Sequence, residues 1–278
     1  QGQNLTGIAN QLYDLGVISS PLYFKFYAII TSKDQSLKAG EYLFITNENI
    51  ISVLNKIVNN DINERYLTIP EGLTSIQILN LINNADGMNY DLVTSLNEGS
   101  ILPETYRYSW GDNREELLIR MKKSLDGFAR KAWLFRKENL PFSSISEALI
   151  LASIVEKETG LESERSKIAS VFINRLRKGM RLQSDPTVIY GINKSGLLGR
   201  EITRSDLNGY TDFNTYKISG LPPYPICHPG KSSIMAVLNP EDTDYLYFVA
   251  DGLGGHVFAK TLRSHNKNVA KWRRLKNK

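Results

Sequence analysis

The residues of this chain best placed to do chemistry are two glutamates, Glu156 and Glu158, which end its most apolar stretch, residues 148–155. Helical spacing sets Glu156 over Ala152 and Ser153 and returns it to the direction of Leu149, in line with an apolar stripe. A carboxylate in that position is costly unless it is paired or protonated. Paired, it forms a structural ion bridge with an arginine of the next helix, Arg175 or Arg177. Protonated by its apolar surroundings, it becomes a general acid of the kind that cleaves glycosidic bonds. Glu158 points roughly 200° away around the helix and is expected to meet water or Arg165. Three histidines without an HExxH spacing, and the single cysteine Cys227, supply neither a metalloenzyme ligand set nor a disulfide.

The helix that must hold Glu156 has legible ends. Ser144 and Glu147 form a capping box, and Gly160 supplies the stop. A charged surface helix precedes it at residues 114–137. After it, Asp185-Pro186 reads as an N-cap and first-turn proline. Gly252, Gly254 and Gly255 join a strand at residues 245–250 to another near Val257, which is a hairpin rather than a phosphate loop. His256 and His265 have no partner visible in the sequence and are assigned structural roles.

The first half reads as small α/β pieces. Leu5, Ile8, Ala9, Leu12 and Leu15 recur at helical spacing, with Gly16 to close the helix. Ser20-Pro21 opens a second helix. Residues 41–45 form a candidate strand before a helix carrying Ile51, Leu54, Ile57 and Val58. That unit repeats 24 residues later, with Leu43, Ile45, Asn59 and Asn60 recurring as Leu67, Ile69, Asn83 and Asn84. Two strand–turn–helix units can pair their strands under two helices. The polar segment 84–100 is the candidate boundary. The expected fold class is α+β, with a small module at residues 1–93 and a mixed α/β domain at 99–278.

With 41% hydrophobic and 23% charged residues, the chain has the composition of a globular protein. Its most apolar run is far short of the roughly 20 residues a membrane helix needs. The net charge of +5 is misleading, because seven basic residues and no acidic one lie between Arg263 and Lys278. The remainder is slightly acidic, which argues against a nucleic-acid groove. The tail is expected to be a solvated helix.

Residues 148–160 contain Ile154-Val155-Glu156-Lys157-Glu158-Thr159 and lead into residues 163–177 and 179–191. Phe213-Asn214-Thr215-Tyr216, Gly220-Leu221-Pro222-Pro223, residues 245–252, Gly255-His256-Val257-Phe258 and Ser264-His265-Asn266 follow. This series resembles the MltG (YceG-like) endolytic murein transglycosylases of bacteria, densely from about residue 102 to 268. The resemblance implies that Glu156 is the catalytic acid. It would protonate the bond between N-acetylmuramic acid and N-acetylglucosamine, then deprotonate the muramoyl 6-hydroxyl to close a 1,6-anhydro ring, with no metal or cofactor. Gln183, Asp185, Asn214 and Tyr216 stand in the family-like motifs as sugar-binding candidates. The resemblance also implies a LysM-like first module, peptidoglycan strands as substrate and peptidoglycan synthases as partners. It further implies an N-terminal membrane helix not present in this sequence, placing this portion on the outer side of the bacterial cytoplasmic membrane. Two departures stand out: Tyr224 where the family usually has Gly, and His228 where it often has Asn. Two other readings remain open, a non-catalytic glycan-binding wall protein and a two-carboxylate hydrolase with Asp185 as the second acid.

Overall fold

Side-chain caps start most of the helices. Asn4 accepts from the Gly7 N–H to open α1 (Leu5–Asp14), and Ser20 with Pro21 opens α2 (Pro21–Ile30), as the sequence predicts. Asn49 caps α3 (Ile50–Asn59). The computed structural model describes residues 2–46, 48–89 and 91–276. Next come β1 (Arg65–Thr68), α4 (Ser75–Asn83), β2 (Thr105–Tyr108) and the long α5 (Arg114–Leu134). Then α6 (Ile145–Glu158), α7 (Glu162–Arg177), α8 (Asp185–Ile192), α9 (Arg204–Asn208) and α10 (Lys231–Leu238) follow. The hairpin β3 (Tyr247–Ala250) and β4 (His256–Ala259) and the terminal α11 (Leu262–Lys276) close the chain. The result is a mixed helix and sheet fold, as an α+β reading requires.

Among the described residues, strand pairing is limited to β1 with β2 and β3 with β4. The candidate strand at 41–45 therefore does not form. Its alternation is real, since Tyr42 and Phe44 pack on a core while Leu43 and Ile45 are exposed. Yet its backbone is bonded piecemeal, by the Asn63 N–H on the Glu41 carbonyl, by Lys56 on the Leu43 carbonyl and by Glu48 at Ile45, and a ladder needs a partner strand. The 24-residue repeat accordingly yields two helices, α3 and α4, but one strand.

Two compact units divide the chain, and not at a single cut. One comprises Gln1–Leu67, Asp86–Asp91 and Arg107–Asn113; the other comprises Thr68–Ala85, Leu92–Tyr106 and Arg114–Lys278. The first has its own core of Ala9, Leu12, Phe24, Ala28, Val53 and Leu54. The helix α4, expected in the first module, belongs to the larger unit. There Arg114 is buried and donates to the carbonyls of Ile82, Asn83 and Ala85, closing the C-terminal end of α4.

The larger unit is built around α6. Its core joins Leu151, Ile154 and Val155 to Ile168 and Phe172 of α7 and to Ile234 and Val237 of α10. The hairpin is antiparallel, with Ala250 opposite His256, and its turn is tied by Asp251 to the Leu253 and Gly255 N–H groups. The terminal helix α11 is largely exposed, as expected of the basic tail, and His265 stacks on Tyr247 with ring centroids 5.2 Å apart. Lys278, the last basic residue, lies outside the described residues.

Replacing Arg114 with Met removes the three bonds that close α4 and leaves buried carbonyls unpaired. The expected cost is about 2–4 kcal/mol in urea unfolding, with no new charge left behind.

Candidate active site

The helix α6 begins as the sequence predicts. Ser144 Oγ accepts from the Glu147 N–H at 3.2 Å, and the Glu147 carboxylate accepts in return from the Ser144 N–H at 3.1 Å. From Ile150 to Val155 every residue is buried. Near its C-terminal end, Ser153 and Glu156 share one face, three residues apart. Onto that face the segment before α10 is bonded. The Ile226 N–H donates to Ser153 Oγ at 3.0 Å, the Cys227 thiol donates to the Ser153 carbonyl at 3.3 Å, and the Gly230 N–H donates to Glu156 Oε2 at 3.0 Å.

The other carboxylate oxygen of Glu156 faces Arg165 Nη2 of α7 at 3.3 Å; the two side chains are 6% and 12% exposed. The sequence expectation of an arginine from the next helix holds in kind, but the arginine is Arg165 rather than Arg175 or Arg177. Of the two neighbours expected for Glu158, water or Arg165, Arg165 instead meets Glu156. A second carboxylate, Glu71, reaches the same Nη2 at 3.6 Å and is 40% exposed. Burial, and then the charge of Glu156, push the Glu71 carboxyl above the ordinary range.

The turn carrying Glu71 is held from both sides. The Gly72 N–H donates to the His228 carbonyl, and the His228 N–H donates to the Leu73 carbonyl, both at 2.9 Å. The His228 ring is fully buried between the Ile101 N–H on Nδ1 and Ser75 Oγ on Nε2. An accepting Nδ1 leaves the proton on Nε2, so this ring is a neutral donor to Ser75 and not its base. Burial pushes its pKa down to about 4. His228 is a clamp.

Glu158 occupies a separate polar cluster. Ser184 Oγ donates to Glu158 Oε1, and the Tyr216 hydroxyl donates to Asp185 Oδ1 at 2.6 Å. The buried Arg175 donates to Gln183 Oε1 at 3.3 Å and to the carbonyls of Leu182 and Leu246. Burial, opposed by the Ser184 bond and reinforced by Asp185, raises Glu158 to about 7. Burial and the Asp185 bond raise the Tyr216 hydroxyl as well.

The structure therefore gathers Gln183, Asp185 and Tyr216, but around Glu158 and not around Glu156. Asn214 is fully buried, and its amide is spent on the carbonyls of Leu207 and Gly209 and on the Tyr216 N–H. It shapes the loop that presents Tyr216. Asp185 is the first helical residue of α8, and Ser184 takes the N-cap place expected for it. His256, whose partner was not visible in the sequence, pairs with Glu164, 2.7 Å from Nδ1. Tyr224 packs edge-on against Phe213, with Lys194 over the Phe213 ring.

Sequence similarity bears on this geometry. The profile of the YceG-like family matches residues 1–271. The chain belongs to the YceG-like family. Among YceG-like relatives, an endolytic murein transglycosylase of Bacillus subtilis (strain 168) is 40% identical over 181 residues, 65% of this chain and 49% of that protein. An endolytic murein transglycosylase of Streptococcus pneumoniae serotype 2 (strain D39) is 29% identical over 319 aligned positions, 97% of this chain and 57% of that protein. The chain thus spans about half the length of the curated relatives it matches. A crystal structure of a yceG-like protein from Listeria monocytogenes has a TM-score of 0.62 at 32% identity, covering 96% of this chain and 95% of that one.

Three contributors to the Glu156 site escaped the sequence reading: Glu71, Arg165 as its partner, and Gly230. Only the Pro70-Glu71-Gly72 turn carried a local signal, a carboxylate held between two conformationally special residues.

Glu158 gives a stability test. The folded protein keeps a proton to about pH 7 that the unfolded chain releases near 4.5. Folding then binds the extra proton, so stability falls as pH rises through that window. Glu158→Gln removes the loss. Thermal unfolding midpoints of the two proteins should agree near pH 4 and diverge by pH 7.5, with the Gln variant higher.

Proposed function

We propose that this chain is the glycan-cleaving part of an endolytic murein transglycosylase, with Glu156 as its acid and base. The observation that carries the reading is the seat of Glu156: a carboxylate at the end of a buried apolar helix, with one oxygen on a helix-starting N–H and the other beside Arg165. Chemically it protonates the glycosidic oxygen leaving N-acetylmuramic acid. The resulting carboxylate takes the proton of the muramoyl 6-hydroxyl, whose oxygen attacks the anomeric carbon and forms the 1,6-anhydro ring. The attacking group is already part of the substrate, which supplies the rate advantage of an intramolecular reaction. No water-activating second acid is required, in contrast to a hydrolase.

In this proposal Gln183, Asp185 and Tyr216 contact the glycan, while Asn214 positions Tyr216. The wider reading assigns residues 1–93 to a LysM-like, glycan-holding module and 99–278 to the catalytic domain. In support, the smaller unit carries a groove of about 550 Å³ lined in part by Leu12, Tyr42, Phe44 and Ile57. Among the described residues no helix is long and apolar enough to cross a membrane. Attachment to the outer face of the bacterial cytoplasmic membrane, a role in limiting strand length and contact with peptidoglycan synthases rest on the family resemblance.

One observation favours a second reading, with Glu158 as the proton donor: its carboxyl titrates near 7, where acid–base catalysts work best. Mass spectrometry of products from uncrosslinked glycan strands separates the two. Glu156→Gln should fold normally, bind glycan and lose anhydro-muramoyl ends by roughly 10²–10⁴-fold, while Glu158→Gln loses far less. The reverse result moves the proton to Glu158. Reducing ends in place of anhydro ends make the protein a hydrolase, and no new ends make it a binding protein.

A further inference from the structure

Arg165 stands between two carboxylates, donating a long hydrogen bond to Glu156 and lying in ion-pair reach of Glu71. Its Nη2 lies 3.3 Å from Glu156 and 3.6 Å from Glu71, both longer than the 2.7–2.9 Å of a firm charge-assisted bond. Its Nε is buried without a partner. An arginine this close favours the ionised form of a carboxylate. A guanidinium drawn off Glu156 would leave that carboxyl without a cation against it, and Glu71 is a second carboxylate already at the same Nη2.

We propose that Glu71 takes Arg165 from Glu156 during the reaction, so that Glu156 can carry its proton without an arginine partner. The inference rests on Glu156 being the acid. Glu71 is a positioning residue in this scheme; the first proton on Glu156 comes from solvent, and the muramoyl 6-hydroxyl returns it in each turnover.

The surroundings are built for that role. The backbone on both sides of Gly72 is tied to His228, which fixes the base of the Glu71 side chain. Its carboxyl lies against Gly230, where an added Cβ would come within 1.8 Å of Glu71 Oε1. Glycine at this position is what lets Glu71 approach. Glu71 is also the open member of the pair, able to respond to a bound strand. The other ionisable groups nearby are Glu162 on α7, Lys157 on α6, which donates to the Gly72 carbonyl, and the buried Cys227. Lys231, in the first turn of α10, is engaged by Glu104, and the His228 ring is neutral.

The test is the pH profile of kcat for anhydro-end formation in wild type, E71Q, E71D and E156Q. With Glu71 neutral, Arg165 settles on Glu156, and the acid is lost at lower pH. The alkaline limb of E71Q should therefore move down by about one pH unit, as expected for carboxylates within roughly 7 Å of each other. Its kcat at neutral pH should fall about tenfold with KM nearly constant, and E71D should restore part of both. Circular dichroism should be unchanged. A limb that superimposes on wild type overturns the proposal, even if kcat falls. So does an E71Q protein that fails to fold, because Glu71 is then structural. If E156Q stays active, the assignment of Glu156 itself has failed; if E156Q is inactive and the E71Q limb is unmoved, only the role of Glu71 has.

Discussion

A buried serine organises the larger unit. Ser153 sits in the middle of the apolar face of α6, where a hydroxyl without partners would cost roughly 1–3 kcal/mol. It meets that cost by accepting from the Ile226 N–H while donating to the Ile150 carbonyl. That bond brings residues 226–230 onto α6 in a defined register. One turn further on, the register delivers the Gly230 N–H to Glu156 and starts α10 beside it. His228, in the middle of the same segment, then fixes the turn of Glu71. Two chain segments far apart in sequence are thus located from one helix face, residues 226–230 directly and the turn of Glu71 through His228.

The end of α6 separates two electrostatic environments. On one side Glu156 has a cation and a backbone donor. On the other, Glu158 has a hydroxyl donor but also a neighbouring carboxylate, Asp185, and Arg175 spends its bonds on carbonyls. Two glutamates two residues apart, on one short stretch of helix, are in this way given opposite tasks. Glu156 has the Gly230 N–H on one oxygen and Arg165 beside the other, while Glu158 retains its proton toward neutral pH because burial outweighs its single bond.

Much of this was legible in the sequence wherever the signal was local. The capping box at Ser144, the Ser20-Pro21 start and the glycine-rich hairpin are each set by residues within a few positions of one another. The apolar run around Glu156 also announced a buried carboxylate. What was not legible depended on pairing at a distance. Residues 41–45 alternate as a strand should, yet the ladder partner of β1 is β2, across a gap no periodicity reveals. Arg165 rather than Arg175 meets Glu156 because the crossing of α6 and α7 decides which turn is opposite. Nothing in the sequence around Asn214, a candidate by its place in a family-like motif, showed that two backbone carbonyls take its amide.

Cys227 has a practical consequence. Its thiol is fully buried, donates to the Ser153 carbonyl and is held far above its ordinary pKa by burial, so it stays a thiol and not the reactive thiolate. The native chain is therefore chemically silent toward maleimides and disulfide reagents while folded. Any cysteine introduced on the surface becomes the sole labelled position. Spin or fluorescence probes on the two compact units can be attached without first altering the segment that holds Glu156, and the appearance of Cys227 reactivity reports that this segment has come away from α6.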